Sequence, residues 1–276
     1  MSNTHNRSAA TRPPWRVASV SFLNARPLIW GLENDPAVSL RLDVPSRLLA
    51  ALSAGQVDVA LLPVIDYQRL DGLRIVPSGG IGCDGPTLTV RIFSGVPIQR
   101  IESLACDTDS HTSVALARIL LARRYGIRPE LTELGSDIKP GAARLLIGDK
   151  VVCEEPADLP HQLDLGAAWK DLTGLPFVFA AWVARGDIEL GDLPERLTAA
   201  RMAGLGHIPE ILEQFAVPRG WPVDLARRYL TEYLKFEIGQ RHLEAIGLFH
   251  QWAAEEGLIP RPARPLNLIK GTRSFI

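Results

Sequence analysis

SLRLDVPSRLLAALSAGQVDVALLP, residues 39–63, reads as strand, helix and strand in immediate succession. SLRLDV (39–44) is β-rich, and Pro45 with Ser46 opens a helix whose first turn suits the fixed proline φ. RLLAALSA continues that helix, and Gly55 stops it as the left-handed residue just past a C-terminus. VDVALLP (57–63) follows at once as an apolar strand. A unit this short implies a right-handed crossover and a parallel strand pair. The chain is therefore α/β, and its ligand crevice is expected at the carboxyl ends of its strands.

Outward from this unit the same alternation holds. Upstream, WRVASV (15–20) is a strand, and Pro27 fits the first turn of a helix for which Asn24 is a natural cap. Downstream, LRIVPSGGIGCDGP (73–86) reads as a strand entering a Gly-rich loop, and TLTVRIFSG (87–95) as a strand leaving the first lobe. LACDTDSHTSVALARILLARRYG is strand, polar turn and a helix ending at Gly126, apolar almost all round and so buried. ELTEL, RLLIGDKVV and HQLDLGAAWKDLTG repeat the alternation, and LPFVFAAWVARG (175–186) is an apolar strand running out of the second unit. From Asp192 the text is helical, with Leu243, Ile246, Phe249 and Ala253 at core-facing spacing. The expected plan has two lobes, each with a mixed sheet: residues 15–95 plus 186–276 form lobe 1, residues 96–185 lobe 2. Crossings near 93–97 and 183–187 are the expected hinge.

Composition narrows the function. A chain of 276 residues with 46% hydrophobic and 22% charged side chains supports a large core without staples. Thirty basic residues against 31 acidic ones leave a formal charge of −1, with no footprint for nucleic acid or an anionic membrane. The apolar runs are too short for a membrane span. Cys83, Cys106 and Cys153 are too scattered for a disulfide framework or a zinc site, and the histidines make no HExxH or compact ligand set. No metal is expected. Residues 1–14 read as a disordered leader without an apolar core, and the compartment as cytoplasmic.

Four polar loops after strands are the candidate site: Ser21–Pro27, Ser78–Pro86, Asp107–Ser113 and Gly148–Asp149. In DTDSHTSVAL, Thr108, Ser110, Thr112 and Ser113 stand before a long apolar helix, whose N-terminal N–H groups and dipole accept a carboxylate. Plain N-capping by the same hydroxyls is the competing reading. His111, in that loop, can be cation, donor or base, or a surface histidine without a role. The Asn24 amide can donate and accept at once, which suits a hydroxyl or enolate oxygen; it also suits a cap. Asp84 and Asp149 are acids or bases if not simply Asp-Gly turn chemistry.

SFLNARPLIWGL, GQVDVALLPVIDYQRL, GCDGPTLTVRIFS, ACDTDSHTSVALARILL, RLLIGDKVV and DLGAAWKDLTGLPFVFAAWVARG, in that order, resemble the menaquinone-biosynthesis chorismate dehydratases of the futalosine route. The resemblance runs from about residue 16 to EEGLI at 255–259. It implies a type II periplasmic-binding-protein fold, no metal or cofactor, and loss of water from chorismate to give 3-[(1-carboxyvinyl)oxy]benzoate. By resemblance, Asn24 is the active-site asparagine with Ser21 its neighbour. Ser78, Cys83, Asp84 and Gly85 belong to the loop that holds the opposite end of the substrate, with Cys83 where serine is commoner. His111 stands where the family pattern has arginine. A non-catalytic carboxylate-binding module and the sister dihydroxynaphthoate synthase are the competing readings.

Overall fold

The computed structural model describes residues 13–107, 110–135, 142–153, 156 and 158–269, so the expected leader lies outside it but for its last two residues. β1 (Trp15–Ser19) passes through a single 3-10 turn (Leu23–Ala25) into the short α1 (Arg26–Ile29). β2 (Val38–Leu42), α2 (Pro45–Ser53) and β3 (Val59–Pro63) form the strand–helix–strand unit, and Gly55 takes φ +66° beyond the helix. β2 and β3 are both parallel to β1, which lies between them. The expected parallel pair is thus a pair flanking a third strand.

β4 (Leu73–Cys83) is an eleven-residue strand, so the Gly-rich stretch expected as a loop is part of the sheet. Its glycines are where β10 (Phe177–Arg185) comes closest. A Cβ at Gly80 would lie 2.5 Å from the Ala180 carbonyl oxygen, and one at Gly82 2.7 Å from that of Phe177. The first sheet is completed by β11 (Leu234–Lys235), in the order β11-β4-β10-β3-β1-β2, with β10 antiparallel to β3 and β4.

The second sheet is built from β5 (Val90–Ser94), β6 (Ser103–Cys106), β7 (Glu130–Glu133), β8 (Ala143–Ile147) and β9 (His161–Asp164), in the order β7-β6-β8-β5-β9. β6 runs parallel to β7 and β8, and β5 antiparallel to β8 and β9. Both sheets are mixed, as expected. Between these strands lie α3 (His111–Tyr125) and α4 (Asp149–Cys153), and α5 (Leu165–Thr173) follows β9. The return consists of α6 (Leu193–Gly206), α7 (Ile208–Ile211), α8 (Val223–Arg228) and α9 (Gln240–Glu255).

Strand pairing moves both expected boundaries. β5 belongs to the second sheet, so the outward crossing precedes Val90; β10 belongs to the first, so the return precedes Phe177. An apolar strand cannot reveal which sheet it joins, because that is settled by its partners. The outward crossing is held by one carboxylate. Asp164 caps α5 through Ala167 N–H (3.0 Å) and also accepts from Thr87 N–H (3.0 Å) and Leu88 N–H (2.9 Å). Leu88 there adopts φ +67°, a costly conformation for a γ-branched residue. On the return side, Trp169 of α5 packs edge-to-face on Phe177 of β10 and Phe249 of α9, with ring centroids 5.2 and 6.3 Å apart. These large buried aromatic rings give the return crossing a rigid seat.

Candidate functional site

A cavity of about 440 Å³ opens where the carboxyl ends of β1, β3, β6 and β8 converge. Its first-sheet wall is Val20, Phe22, Leu23 and Asn24 after β1, Leu61 and Pro63 of β3, Ile81 of β4, and Phe179 and Ala180 of β10. Facing it are Asp107 and Ser110–Ser113 after β6, and Ile147–Lys150 after β8. Thr87, Thr89 and Val90 of the crossing, with Trp221, Tyr229 and Leu234 of the helical return, close the floor. A mostly apolar cleft with a few convergent polar groups is the ordinary form of a small-molecule site.

Asn24 sits in the 3-10 turn rather than at a helix cap, and its Oδ1 is buried without a hydrogen-bond partner. A buried amide oxygen left without a donor is costly unless a ligand fills it. The turn is clamped from behind, where the Ser21 carbonyl accepts from Arg26 Nη2 (2.9 Å) and Arg219 Nη2 (3.3 Å). Burial lowers the Arg26 pKa, and the nearby Arg219 charge adds to that. Ser21 itself is exposed and outside the cavity wall; its contribution is this carbonyl.

Ser110, His111, Thr112 and Ser113 all line the cavity at the start of α3, and Ser110 makes no side-chain cap bond. Simple N-capping by Ser110 is therefore not its role. Thr112 Oγ1 instead accepts from Ile65 N–H at 3.4 Å. His111 Nδ1 lies 2.9 and 3.0 Å from the two oxygens of Asp66, a carboxylate only 1% exposed. With Nδ1–H donated there, Nε2 is the ring nitrogen left for a ligand. Asp66 also holds Arg69 Nε at 3.1 Å, so a guanidinium stands directly behind position 111. Lys150 Nζ pairs with Asp107 at 2.7 Å, and Asp149 accepts from Trp221 Nε1 at 2.7 Å.

Of the expected loop at 78–85, Ile81 lines the cavity, but the residues singled out there, Ser78, Cys83, Asp84 and Gly85, do not. Ser78 is buried in β4 and donates to the Pro194 carbonyl (2.8 Å). Cys83 is fully buried, its thiol pushed up by burial, and points at α5 rather than at the cleft. Asp84 pairs with Lys170, whose hydrogen bond holds its carboxyl below the usual range, and Gly85 turns beside it at φ +125°. The cause is the continuation of β4 to Cys83, which commits Ser78 and Cys83 to sheet packing. Thr108 lies outside the described residues. Unforeseen were Thr89, Trp221 and Tyr229, which carry no local motif and meet the cavity only through the fold. Among the described residues no His, Cys, Asp and Glu cluster could hold a metal ion, and no helix is long and apolar enough to cross a membrane.

Two mixed sheets joined by two crossings, with a cleft at their strand ends, define the type II periplasmic-binding-protein class. Solved structures agree. A protein of Archaeoglobus fulgidus superposes with a TM-score of 0.70 at 18% identity, covering 90% of this chain and all of its own. The periplasmic aliphatic sulphonate binding protein of Escherichia coli does so at 0.61 and 14%, covering 96% and 97%. Within that class the family is given by sequence. The model of the family described as menaquinone biosynthesis matches residues 15–255, and this chain belongs to that family. The chorismate dehydratase of Thermus thermophilus is 30% identical over 240 residues, 75% of this chain and 89% of that protein. That of Campylobacter jejuni is 26% identical, over 83% and 93%.

Proposed function

We propose that this chain is a chorismate dehydratase, converting chorismate to 3-[(1-carboxyvinyl)oxy]benzoate and water in menaquinone biosynthesis by the futalosine route, in the cytoplasm. The observation that carries the reading is the unpartnered Asn24 oxygen facing the α3 hydroxyls across one cavity, in a member of this family. Chorismate bears two carboxylates and one ring hydroxyl. Ser110, Thr112 and Ser113, with the helix N-terminus and His111, take one carboxylate without needing a free lysine. Asn24 contacts the reacting ring or the departing hydroxyl.

The C3 proton is acidified through the conjugated ring carboxylate, and the pair left behind forms the C3=C4 bond as C4–O breaks. Aromatisation drives the step. The substrate's own enolpyruvyl carboxylate takes the proton, and the cavity's task is orientation and stabilisation of the dienolate-like charge. Burial of Cys83 and Cys106 as thiols suits a reducing compartment. Purified protein incubated with chorismate alone is expected to yield the aromatic enolpyruvyl ether, one water lighter by mass spectrometry. Tight binding without turnover would instead make it a receptor, and neither binding nor turnover would end the chorismate reading.

A further inference from the structure

Beyond holding the substrate, an elimination of hydroxide needs a proton at the departing oxygen. The titratable groups on the cavity wall differ in how they are already engaged. Lys150 is bound to Asp107, Asp149 already accepts from Trp221, and His111 is held by Asp66. Tyr229 is different. Its ring is 1% exposed, and its oxygen accepts the Thr89 hydroxyl at 2.9 Å. Asn24 lines the same cavity and its Oδ1 receives no hydrogen bond, so the phenolic proton is not spent on it. The ring is fixed from one side by stacking on Trp221, with centroids 5.1 Å apart. Thr89 is fixed in turn, since its carbonyl accepts from Gly148 N–H at 2.9 Å.

We infer that Tyr229 is the general acid of the reaction, giving its phenolic proton to the C4 hydroxyl as it departs, with Thr89 as the residue that positions it. The inference rests on the chorismate reading above. The balance is complete. The C3–H pair becomes the new ring double bond, the C4–O pair leaves with oxygen, and the phenolic proton turns that oxygen into water. The phenolate then recovers the proton first lost from C3, relayed from the enolpyruvyl carboxylate. Burial, opposed by the hydrogen bonds from Thr89 and Asn24, pushes the phenol up to about 12, so the proton is present at neutral pH. It is still more acidic than the water it forms, which makes the transfer downhill.

The test is Tyr229→Phe, read by chorismate binding through intrinsic tryptophan fluorescence and by kcat in H2O and D2O. The expected result is a Kd within about threefold of wild type and a kcat lower by about 10²–10⁴-fold, the range of a lost general acid. Wild-type kcat should fall in D2O, and the residual rate of the variant should not. Thr89→Val should lower kcat less, with Kd again retained. Undiminished kcat in Tyr229→Phe beside normal wild-type turnover overturns the role of Tyr229 alone. So does a loss expressed wholly in Kd. Wild-type protein that binds chorismate without dehydrating it overturns this role and the chorismate reading together.

Discussion

Gly204 ties the stability of the first lobe to the position of Asn24. It lies in α6 against α1, and a Cβ there would sit 2.2 Å from the Pro27 carbonyl oxygen, 2.7 Å from Pro27 Cα and 2.8 Å from its carbonyl carbon. Carbon contacts relax at about 3.5 Å, so Gly204→Ala requires the two backbones to part by about 1 Å. No side-chain rotation can relieve it, because every atom met is backbone. Overpacking of this kind costs about 1–3 kcal/mol, and alanine returns at most about 1 kcal/mol of helix propensity. The expected net loss is about 1–2 kcal/mol, or a fall in Tm of about 2–8 °C in a chain of this size. The consequence for activity is larger. Pro27 follows Asn24 by one turn, so an α1 displaced by about 1 Å carries the Asn24 amide with it, and misplacement on that scale costs up to about 10²-fold in turnover. Scanning calorimetry and steady-state kinetics read both effects. Gly206→Ala is the control, since nothing lies within 4 Å of a Cβ there. A Gly204→Ala protein with wild-type Tm and kcat/KM would refute the coupling.

Three further outcomes follow from other contacts. Asp164→Ala should cost about 3–5 kcal/mol in urea unfolding, because it strands the Thr87, Leu88 and Ala167 N–H groups together; a loss under 1 kcal/mol would show the crossing is held otherwise. His250 is buried, donates from Nε2 to the Val64 carbonyl and accepts at Nδ1 from Gln68, and burial lowers its pKa to about 4. Its folded pKa lies below the unfolded value of about 6.5, so the stability it contributes is complete above 6.5 and is lost as pH falls toward 4, by about 3 kcal/mol in all. Tm measured across that window should therefore slope less in His250→Gln than in wild type, and equal slopes would contradict the assignment. Iodoacetamide at neutral pH should label Cys153, which is exposed, and spare Cys83, whose thiol is buried and raised; peptide mass mapping decides, with rapid Cys83 labelling the adverse result.

Much of the architecture was legible because it is written in neighbouring residues. The unit at 39–63, the stop at Gly126 and the alternation through the second lobe depend on local periodicity, caps and turns, and the structure keeps them. The hydroxyl cluster before α3 was legible for the same reason, since a polar turn ahead of an apolar helix marks a helix N-terminus wherever it occurs. Six ordered sequence blocks also sufficed for the family.

What the tertiary structure alone decided are relations between distant segments. β1 enters between β2 and β3, and β5 and β10 each join the sheet opposite to the one their place in the chain suggested, because a strand's sheet is chosen by its hydrogen-bonding partners. Ser78 and Cys83 lie off the cavity wall because close approach of β10 makes strand, not loop, of the glycines between them. Asn24, Thr89 and Tyr229 meet in one buried cluster although Thr89 and Tyr229 are 140 residues apart in the chain. Local propensity carries no trace of such a meeting. It exists only once both sheets and the helical return have packed, which is when the chemistry of the cavity is assembled.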